Sequence, residues 1–158
     1  MSRDERFAPE LVIKALNQSG VRFVVVGGLA VAAHGVVRAT RDLDLVPEPS
    51  PANLESLAEV LGQLGAEHPV ADHLTGEALA RPVSMKLRTD YGEVHVLNRM
   101  PGTAPFAELV ADALIVELEP GVSAAICSLP HLRQMKRAST RPRDAVDLAE
   151  LEALHGEG

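Results

Sequence analysis

The run from residue 24 to residue 46 constrains the fold more than any other part of the sequence. An apolar, β-branched stretch ends there at two adjacent glycines, Gly27 and Gly28, which permit a tight turn into a short helix. Asp42 and Asp44 follow one residue apart in a second apolar stretch. Because alternate side chains of a strand share a face, the two carboxylates point the same way, while the leucines beside them point into a core. The run therefore predicts two strands joined through a short helix, with an acid pair at the start of the second strand.

The glycine turn and the acid pair together indicate a type of chemistry. Glycines at a helix N-terminus let backbone N–H groups approach phosphate, and carboxylate oxygens are ligands that Mg²⁺ prefers. Each feature alone has an ordinary explanation, because many strand-to-helix turns need glycine and acids near a strand end are often solvated. Side by side, the two features predict a site for Mg²⁺ and a triphosphate, and hence phosphoryl or nucleotidyl transfer.

Composition limits the size and the partners of the protein. A chain of 158 residues suits one domain, which we expect to divide into an αβ core over residues 1–127 and C-terminal helices over residues 128–158. The net charge of -7 and the pI near 5.3 argue against broad, non-specific binding to nucleic acid. With only 3% aromatic residues, the chain also has few surfaces on which bases could stack.

The single cysteine and the hydropathy pattern bear on the compartment. Cys127 excludes an internal disulfide and is compatible with a reducing environment. No stretch approaches the roughly 18 apolar residues of a membrane span. We therefore expect a cytoplasmic protein that has no membrane partner.

Hydrophobic periodicity and turn residues predict the secondary structure of most of the chain. Six helices are predicted: from Pro9 to a stop at Gly20, over 29–34, from Pro51 to a stop at Gly65, over 105–113, over 128–138, and from Pro142 to a stop at Gly156. Two strands are predicted over 21–26 and 40–46, and two β-hairpins over 83–97 and 114–126. Residues 66–81 show no firm period and are predicted to be a mostly irregular connection. The order indicates a mixed α/β (α+β) domain, with helices packed on a short sheet and a helical pair at the end.

The spacing of the residues around the acid pair resembles a known family. The sequence reads Gly27-Gly28-x-Ala30-x-x-x-His34-Gly35-x-x-Arg38-x-Thr40-x-Asp42-x-Asp44-Leu45. It resembles the minimal nucleotidyltransferases of the DNA polymerase β-like superfamily, and within them the group of the AbiEii-type toxins of toxin–antitoxin systems. The hairpin over 89–94 and the tail over 136–148 extend the likeness over most of the chain. The resemblance implies a polymerase β-like nucleotidyltransferase fold.

The resemblance also implies a metal-dependent reaction of a nucleoside triphosphate (NTP). Family members hold two divalent ions, Mg²⁺ or Mn²⁺, with a pair of acids and a third acid on a later strand. Asp42 and Asp44 match the pair, and the third position is residue 95, where this chain has His95. Imidazole suits Mg²⁺ less well than carboxylate does, so we expect weaker binding of the ion that activates the acceptor hydroxyl. Glu93 lies two residues earlier on the same strand face and could compensate at a shifted position.

Further site residues follow from the same resemblance. It implies that Gly27 and Gly28 approach the triphosphate, although Leu29 stands where the superfamily usually has a serine that contacts phosphate. Arg38 and Thr40 could position the acid pair or touch phosphate. The tail directs Lys136 and either Arg141 or Arg143 at phosphate, where a fixed cation stabilises developing charge. Asp144 could orient that cation or act as a base, or it could be only a favourable acid in the first turn of the last helix.

Three functions are consistent with this sequence. The first is transfer of NMP from an NTP to a hydroxyl of RNA, such as tRNA, or of protein, in a toxin–antitoxin component that has an antitoxin partner. The second is a catalytically impaired nucleotide- or partner-binding module on the same fold, because His95 replaces the third metal-binding acid. The third is an interaction protein without nucleotide affinity. A transfer assay separates the first two, and nucleotide binding tests the third.

Overall fold

A computed structural model describes residues 7–66 and 82–157. The connection predicted over 66–81 therefore lies outside the described residues, apart from residue 66. The helices are α1 (Pro9–Gln18), α2 (Gly27–Ala33), α3 (Pro51–Gln63), α4 (Phe106–Asp112), α5 (Leu129–Ala138) and α6 (Pro142–His155). The strands are β1 (Phe23–Val26), β2 (Asp42–Pro47), β3 (Val83–Thr89), β4 (Gly92–Asn98), β5 (Leu114–Glu119) and β6 (Val122–Ile126).

The strands form one mixed sheet in the order β3-β4-β2-β1-β6-β5. The hairpin strands β3 and β4 pair antiparallel, as do β5 and β6, and β1 pairs antiparallel with β2. Parallel pairing joins β2 to β4 and β1 to β6. This mixed α/β architecture, with a sheet flanked by helices and a helical pair at the end, confirms the predicted fold class.

The central strands are held in place by their apolar faces. Leu43 and Leu45 of β2 and Val94 and Val96 of β4 are all 0% exposed. Burying a side chain of this size stabilises a fold by about 1.5–3 kcal/mol. A slip of one residue would turn these side chains to the opposite face, so their burial fixes the register of β2 against β4. The acids of β2 are thereby kept on the face of the sheet that is opposite to these leucines.

Several predicted boundaries differ by a few residues from those of the structure. Helix α2 begins at Gly27 rather than at residue 29, because the backbone of the glycine turn already enters the helix. Strand β2 begins at Asp42 rather than at residue 40, and β1 begins at Phe23 rather than at residue 21. Within residues 7–66 and 82–157, no helix is both long enough and apolar enough to cross a membrane.

Candidate functional site

The glycine turn lies in direct contact with the acid pair. Gly27 has a φ of +68°, in the left-handed region that favours glycine. A Cβ atom at this position would lie only 1.9 Å from Oδ2 of Asp44. At Gly28 the added atom would lie 2.5 Å from Nη1 of Arg38 and 3.0 Å from Oγ1 of Thr40. Both glycines are therefore needed to bring the turn against the side chains of the site.

The register of β2 and β4 places four polar residues side by side. Asp42 pairs with Glu93, and Asp44 pairs with His95. Asp42 and Asp44 are half-buried on one face, while the leucines after each of them are fully buried, so the predicted alternation is confirmed. Glu93 turns to Arg88, with which it forms an ion pair of 3.4 Å. Glu93 lies beside Asp42 in the sheet but lines neither of the two cavities described below.

His95 bridges Asp44 and a serine of the next strand. Its Nδ1 lies 3.1 Å from Oδ1 of Asp44, and its Nε2 lies 2.5 Å from Oγ of Ser84. An ionised carboxylate only accepts hydrogen bonds, so Nδ1 carries the proton that is donated to Asp44. In a neutral ring Nε2 is then the acceptor for the Ser84 hydroxyl. His95 is 8% exposed, whereas Ser84 is exposed.

A buried ionic network connects the two C-terminal helices to the glycine turn. Nζ of Lys136 lies 2.7 Å from Oδ1 of Asp144 and 3.0 Å from Oδ2 of Asp147. Nη1 of Arg38, from the segment before β2, lies 3.0 Å from the same Oδ2 of Asp147. Among the described residues, no donor forms a hydrogen bond with this oxygen, so its contacts with Lys136 and Arg38 are ionic. Asp147 therefore holds Lys136 and Arg38 together.

Asp144 anchors the cations of the tail. Besides Lys136, its carboxylate accepts hydrogen bonds from the Ser139 hydroxyl and from Nε of Arg141, the latter at 3.0 Å. Burial opposes ionisation of Asp144, but the bonds from Lys136 and Ser139 and the charges of Lys136 and Arg141 outweigh it, and its pKa lies below the ordinary value. Asp144 also lies in the first turn of α6. Its contacts are those expected of a group that orients Lys136.

Two cavities, each of about 380 Å³, open on this face. The first, here named the basic cavity, is lined by Gly28 and Thr40 with five cations and three carboxylates. The cations are Arg38, Arg41, Lys136, Arg141 and Arg143. The carboxylates are Asp42, Asp44 and Asp144. The lining residues thus carry +2, or +1 when Asp147 behind Arg38 and Lys136 is included, in a chain whose net charge is -7, so the cavity concentrates positive charge.

The second cavity, here named the apolar cavity, is lined by Leu97, Met100, Leu132 and Met135, together with Gly27, Ser84 and His95. Four residues line both cavities: Asp44, Lys136, Arg141 and Asp144. These four residues therefore separate a basic cavity suited to phosphates from an apolar cavity that is lined by His95 and Ser84, and Asp44 is the one of them that contacts His95.

The residues present fit one metal ion better than a closed cage. Within the described ranges 7–66 and 82–157, no three or more side chains of His, Cys, Asp or Glu are arranged to hold a metal ion. Mg²⁺ commonly uses one or two carboxylates and completes its shell with phosphate oxygens and water. Asp42 and Asp44 line the basic cavity together and can supply such a pair. Both ring nitrogens of His95 are engaged, with Asp44 and Ser84, so His95 fits the predicted role of third ligand poorly.

Of the predicted nucleotide-binding residues, Gly28, Arg38, Thr40, Arg141 and Arg143 line the basic cavity, whereas Gly27 lines the apolar cavity. Thr40 donates a hydrogen bond of 3.3 Å to the carbonyl of Asp42, and Arg143 donates one of 2.7 Å to the carbonyl of Ala39. Sequence reasoning gave no role to Ser84 or to Asp147. The hairpin register and the i, i+3 spacing from Asp144 were the signals that could have identified them.

Comparison with known proteins supports the fold. No protein-family model matches the chain, and no match is found among curated proteins. A candidate nucleotidyltransferase from Thermotoga maritima is similar over 94% of this chain and 96% of its own, with 18% identity and a TM-score of 0.57. The nucleotidyltransferase ANT(2")-Ia, solved in complex with adenylyl-2"-tobramycin, is similar over 90% of this chain and 84% of its own, with 11% identity and a TM-score of 0.55.

A third solved structure has the same architecture. It is an antigenic nucleotidyltransferase-like protein from Paracoccidioides brasiliensis, similar over 92% of this chain and 73% of its own, with 15% identity and a TM-score of 0.58. Similarity at such low identity concerns the fold alone. The predicted nucleotidyltransferase fold is therefore confirmed, while none of these structures bears on the AbiEii-type group.

Proposed function

We propose that this chain is a metal-dependent nucleotidyltransferase that moves NMP from an NTP to a hydroxyl group. One observation supports the proposal above the others. On a nucleotidyltransferase fold, the paired carboxylates Asp42 and Asp44 share one cavity with five cations and with Gly28 of the glycine turn. A triphosphate needs both kinds of group, because cations balance its charge and carboxylates hold the ion that accompanies it.

Each part of the basic cavity has a role in this reaction. Asp42 and Asp44 would hold Mg²⁺ or Mn²⁺, which supplies charge neutralisation at the phosphates when bound. Lys136, fixed by two carboxylates, stabilises the negative charge that develops on the departing pyrophosphate. Arg141 also lines the basic cavity, and its side chain is 73% exposed, so it can turn toward a phosphate. Gly28 leaves room for the triphosphate to approach the backbone at the start of α2.

The proposal also names the molecule that accepts the nucleotide. The resemblance to AbiEii-type toxins supports RNA, such as tRNA, or a protein hydroxyl as acceptor, and an antitoxin as partner of the chain. The acidic net charge limits any RNA contact to a small patch, for which the cations of the basic cavity are suited.

A second function is favoured by one specific observation. His95 occupies the position of the third acid and hydrogen-bonds Asp44 on one side and Ser84 on the other. If the reaction requires a carboxylate at this position, the chain is a nucleotide- or partner-binding module that has lost transfer activity. Nucleotide binding would then persist without transfer.

A transfer assay separates the two functions. The purified chain is incubated with each α-³²P-labelled NTP, Mg²⁺ or Mn²⁺, and total RNA, and label is followed on RNA and on protein. Asp44→Asn is compared with Asp112→Asn, a matched carboxylate that pairs with His131 outside both cavities. Transfer by the wild type that is lost in Asp44→Asn and retained in Asp112→Asn supports the enzyme. Transfer that Asp44→Asn retains contradicts it, and transfer that appears only in His95→Asp supports the binding module.

A further inference from the structure

The apolar cavity is not needed to bind the triphosphate, and its size and lining suit a ligand of another kind. Its volume is about 380 Å³, and small-molecule sites measure roughly 300–1,000 Å³. Much of its wall is formed by aliphatic and thioether side chains, namely Val26, Leu97, Met100, Leu132 and Met135. The cavity meets the basic cavity at the four residues that line both, which include Asp44 and Lys136. A ligand that fills the apolar cavity therefore has one end beside the proposed triphosphate site.

The positive charge of the basic cavity is taken up by the triphosphate itself. The lining carries +2, or +1 when Asp147 is included. A nucleoside triphosphate with one divalent ion carries roughly two negative charges at neutral pH. Once this complex is bound, the cavity has no surplus of cations for the phosphates of a second polyanion. An RNA acceptor would therefore gain no electrostatic attraction there.

The apolar cavity adds no positive charge of its own. Among the described residues, the charged side chains that line it are the four shared with the basic cavity, and they balance to zero when histidine is counted as neutral. Moving a phosphate or an ammonium group from water to an aliphatic wall costs free energy unless an opposite charge compensates it. The ligand that fits this cavity is therefore uncharged.

The polar side chains of the apolar cavity are largely engaged within the protein. Ser84 and His95 are hydrogen-bonded to each other, and Ser139 donates to Asp144. A nucleobase has several polar edge atoms, and each of them that is buried without a partner weakens binding. A compound with a single hydroxyl group largely avoids that cost. The lining thus favours such a compound over the base of the NTP.

We propose that the apolar cavity is the acceptor site, and that the acceptor is a small, uncharged alcohol or phenol with an apolar body. This inference rests on the proposed nucleotidyl transfer and narrows its acceptor to one chemical class. The apolar body packs against Met100 and Met135, and the hydroxyl lies where the two cavities meet, beside Asp44.

The reaction balances with the NTP and the acceptor as its only substrates. The acceptor oxygen forms a bond to the α-phosphorus, and the bond from that phosphorus to the bridging oxygen of the β-phosphate breaks. Pyrophosphate leaves with the electron pair of the broken bond. The hydroxyl proton is released to solvent at the open mouth of the cavity. No oxidation or reduction takes place.

Binding is tested first, by a measurement that does not depend on activity. Met100 and Met135 line the apolar cavity, whereas Met85 lines neither cavity. In the full chain labelled with [methyl-¹³C]methionine, the NMR signals of the first two report on the cavity, and that of Met85 is an internal control. Single Met→Leu variants assign the signals. The probes are cyclohexylmethanol and 4-ethylphenol, and glycerol is the control that has hydroxyl groups but no apolar body.

We expect both probes to shift the signals of Met100 and Met135 and to leave that of Met85 in place. Glycerol should shift none of the three, and Mg²⁺–ATP should not displace either probe. The inference is overturned if neither probe shifts the two cavity signals. It is also overturned if Mg²⁺–ATP displaces the probes, because the nucleoside then occupies the apolar cavity.

Transfer is tested next, with each α-³²P-labelled NTP, Mg²⁺ or Mn²⁺, and a probe, glycerol or decauridylate RNA as acceptor. We expect label on a probe and none on glycerol. Met100→Gln and Met135→Gln should each raise the KM for the probe by about 10-fold and leave the KM for the NTP unchanged. Met85→Gln, a matched change at a partly buried methionine outside both cavities, should alter neither value. Circular dichroism verifies that each variant is folded.

The labelling pattern separates failure of this inference from failure of the proposed function. Label on RNA or on protein but on neither probe overturns this inference alone, because the chain is then a nucleotidyltransferase with another acceptor. A rise in the KM for the NTP in Met100→Gln and Met135→Gln, with the KM for the probe unchanged, overturns it as well. Absence of label on RNA, on protein and on the probes with every NTP overturns the proposed enzyme too.

Discussion

Replacing Gly27 by alanine perturbs the site at its tightest contact. Two effects act together, because the residue has a φ of +68° and its new methyl group would lie 1.9 Å from Oδ2 of Asp44. The left-handed backbone costs an ordinary residue about 1–2 kcal/mol. The methyl group also pushes the Asp44 carboxylate away from the position in which it lines both cavities.

The size of the displacement sets the expected loss of activity. Real Cβ contacts are essentially never shorter than 3.0 Å, so the carboxylate has to move by about 1 Å. A misplacement of about 1 Å in a catalytic group can lower a rate by roughly 100-fold. We therefore expect Gly27→Ala to reduce NMP transfer by about 100-fold, or to abolish binding of the Mg²⁺–NTP complex where binding depends on Asp44.

The chain offers a matched control at Gly20. Its φ is +69°, and an added Cβ there would meet nothing within 4 Å. Gly20→Ala therefore reproduces the backbone strain without the collision at Asp44. For a domain of this size, 1–2 kcal/mol lowers the Tm by roughly 2–8 °C, which both variants should show in thermal unfolding. Calorimetry with Mg²⁺–ATP and the transfer assay then report the effect on the site.

The two variants should lose similar amounts of thermal stability but differ in nucleotide binding and in NMP transfer. We expect Gly20→Ala to bind nucleotide and transfer NMP as the wild type does. If Gly27→Ala retains wild-type affinity and rate while its Tm falls, Asp44 does not act at the place where the structure puts it, and the reasoning from the glycine turn is wrong.

Three further predictions concern the ionic network and the core. Asp147→Asn removes one of the two carboxylates that contact the buried Lys136, which keeps Asp144, and should cost about 1–3 kcal/mol in urea unfolding, against about 0–1 kcal/mol for Glu152→Gln in a looser surface pair; equal losses would contradict the network. Burial opposes ionisation of Asp144, but the bonds and cations around it prevail and its pKa is lowered. Its contribution to stability is therefore complete above about pH 4, the ordinary value, and is lost as pH falls through the lower folded pKa. Asp144→Asn should flatten this acid limb of thermal stability, and an unchanged limb would argue against the assignment. Burial raises the pKa of Cys127 to about 12, so its thiol should react with Ellman's reagent at pH 8 only after unfolding, and rapid reaction of the native chain would show that it is accessible.

The fold was predictable because local signals agree with one another. Period-two alternation around Asp42 and Asp44 determined which face of β2 is buried, and the structure has the same alternation. Each hairpin is predicted from a glycine-containing turn between two strand-like runs, and both are present as β3–β4 and β5–β6. Each of these signals lies within a few residues of the element that it specifies, so no knowledge of distant contacts was needed.

The contacts of the site were less predictable because they join distant parts of the chain. Asp147 bridges Arg38 and Lys136, and no local pattern links the segment before β2 to the last helix. The contact of Ser84 with His95 was within reach of the sequence, since the hairpin register puts both on one face. The family resemblance assigns residue 95 to a metal-binding acid, so it does not point to a hydrogen bond between His95 and Ser84. The engagement of both ring nitrogens of His95 becomes visible only when the neighbouring strands are in place.

The most direct test is to locate a divalent ion and a triphosphate when both are bound to the chain. Crystals of the chain soaked with Mn²⁺ and a non-hydrolysable ATP analogue would give an anomalous signal at the ion. We expect this signal within coordination distance of the carboxylates of Asp42 and Asp44, with the triphosphate in the basic cavity beside Lys136. An analogue that binds elsewhere, or in the basic cavity with no ion at the two carboxylates, would contradict the central claim.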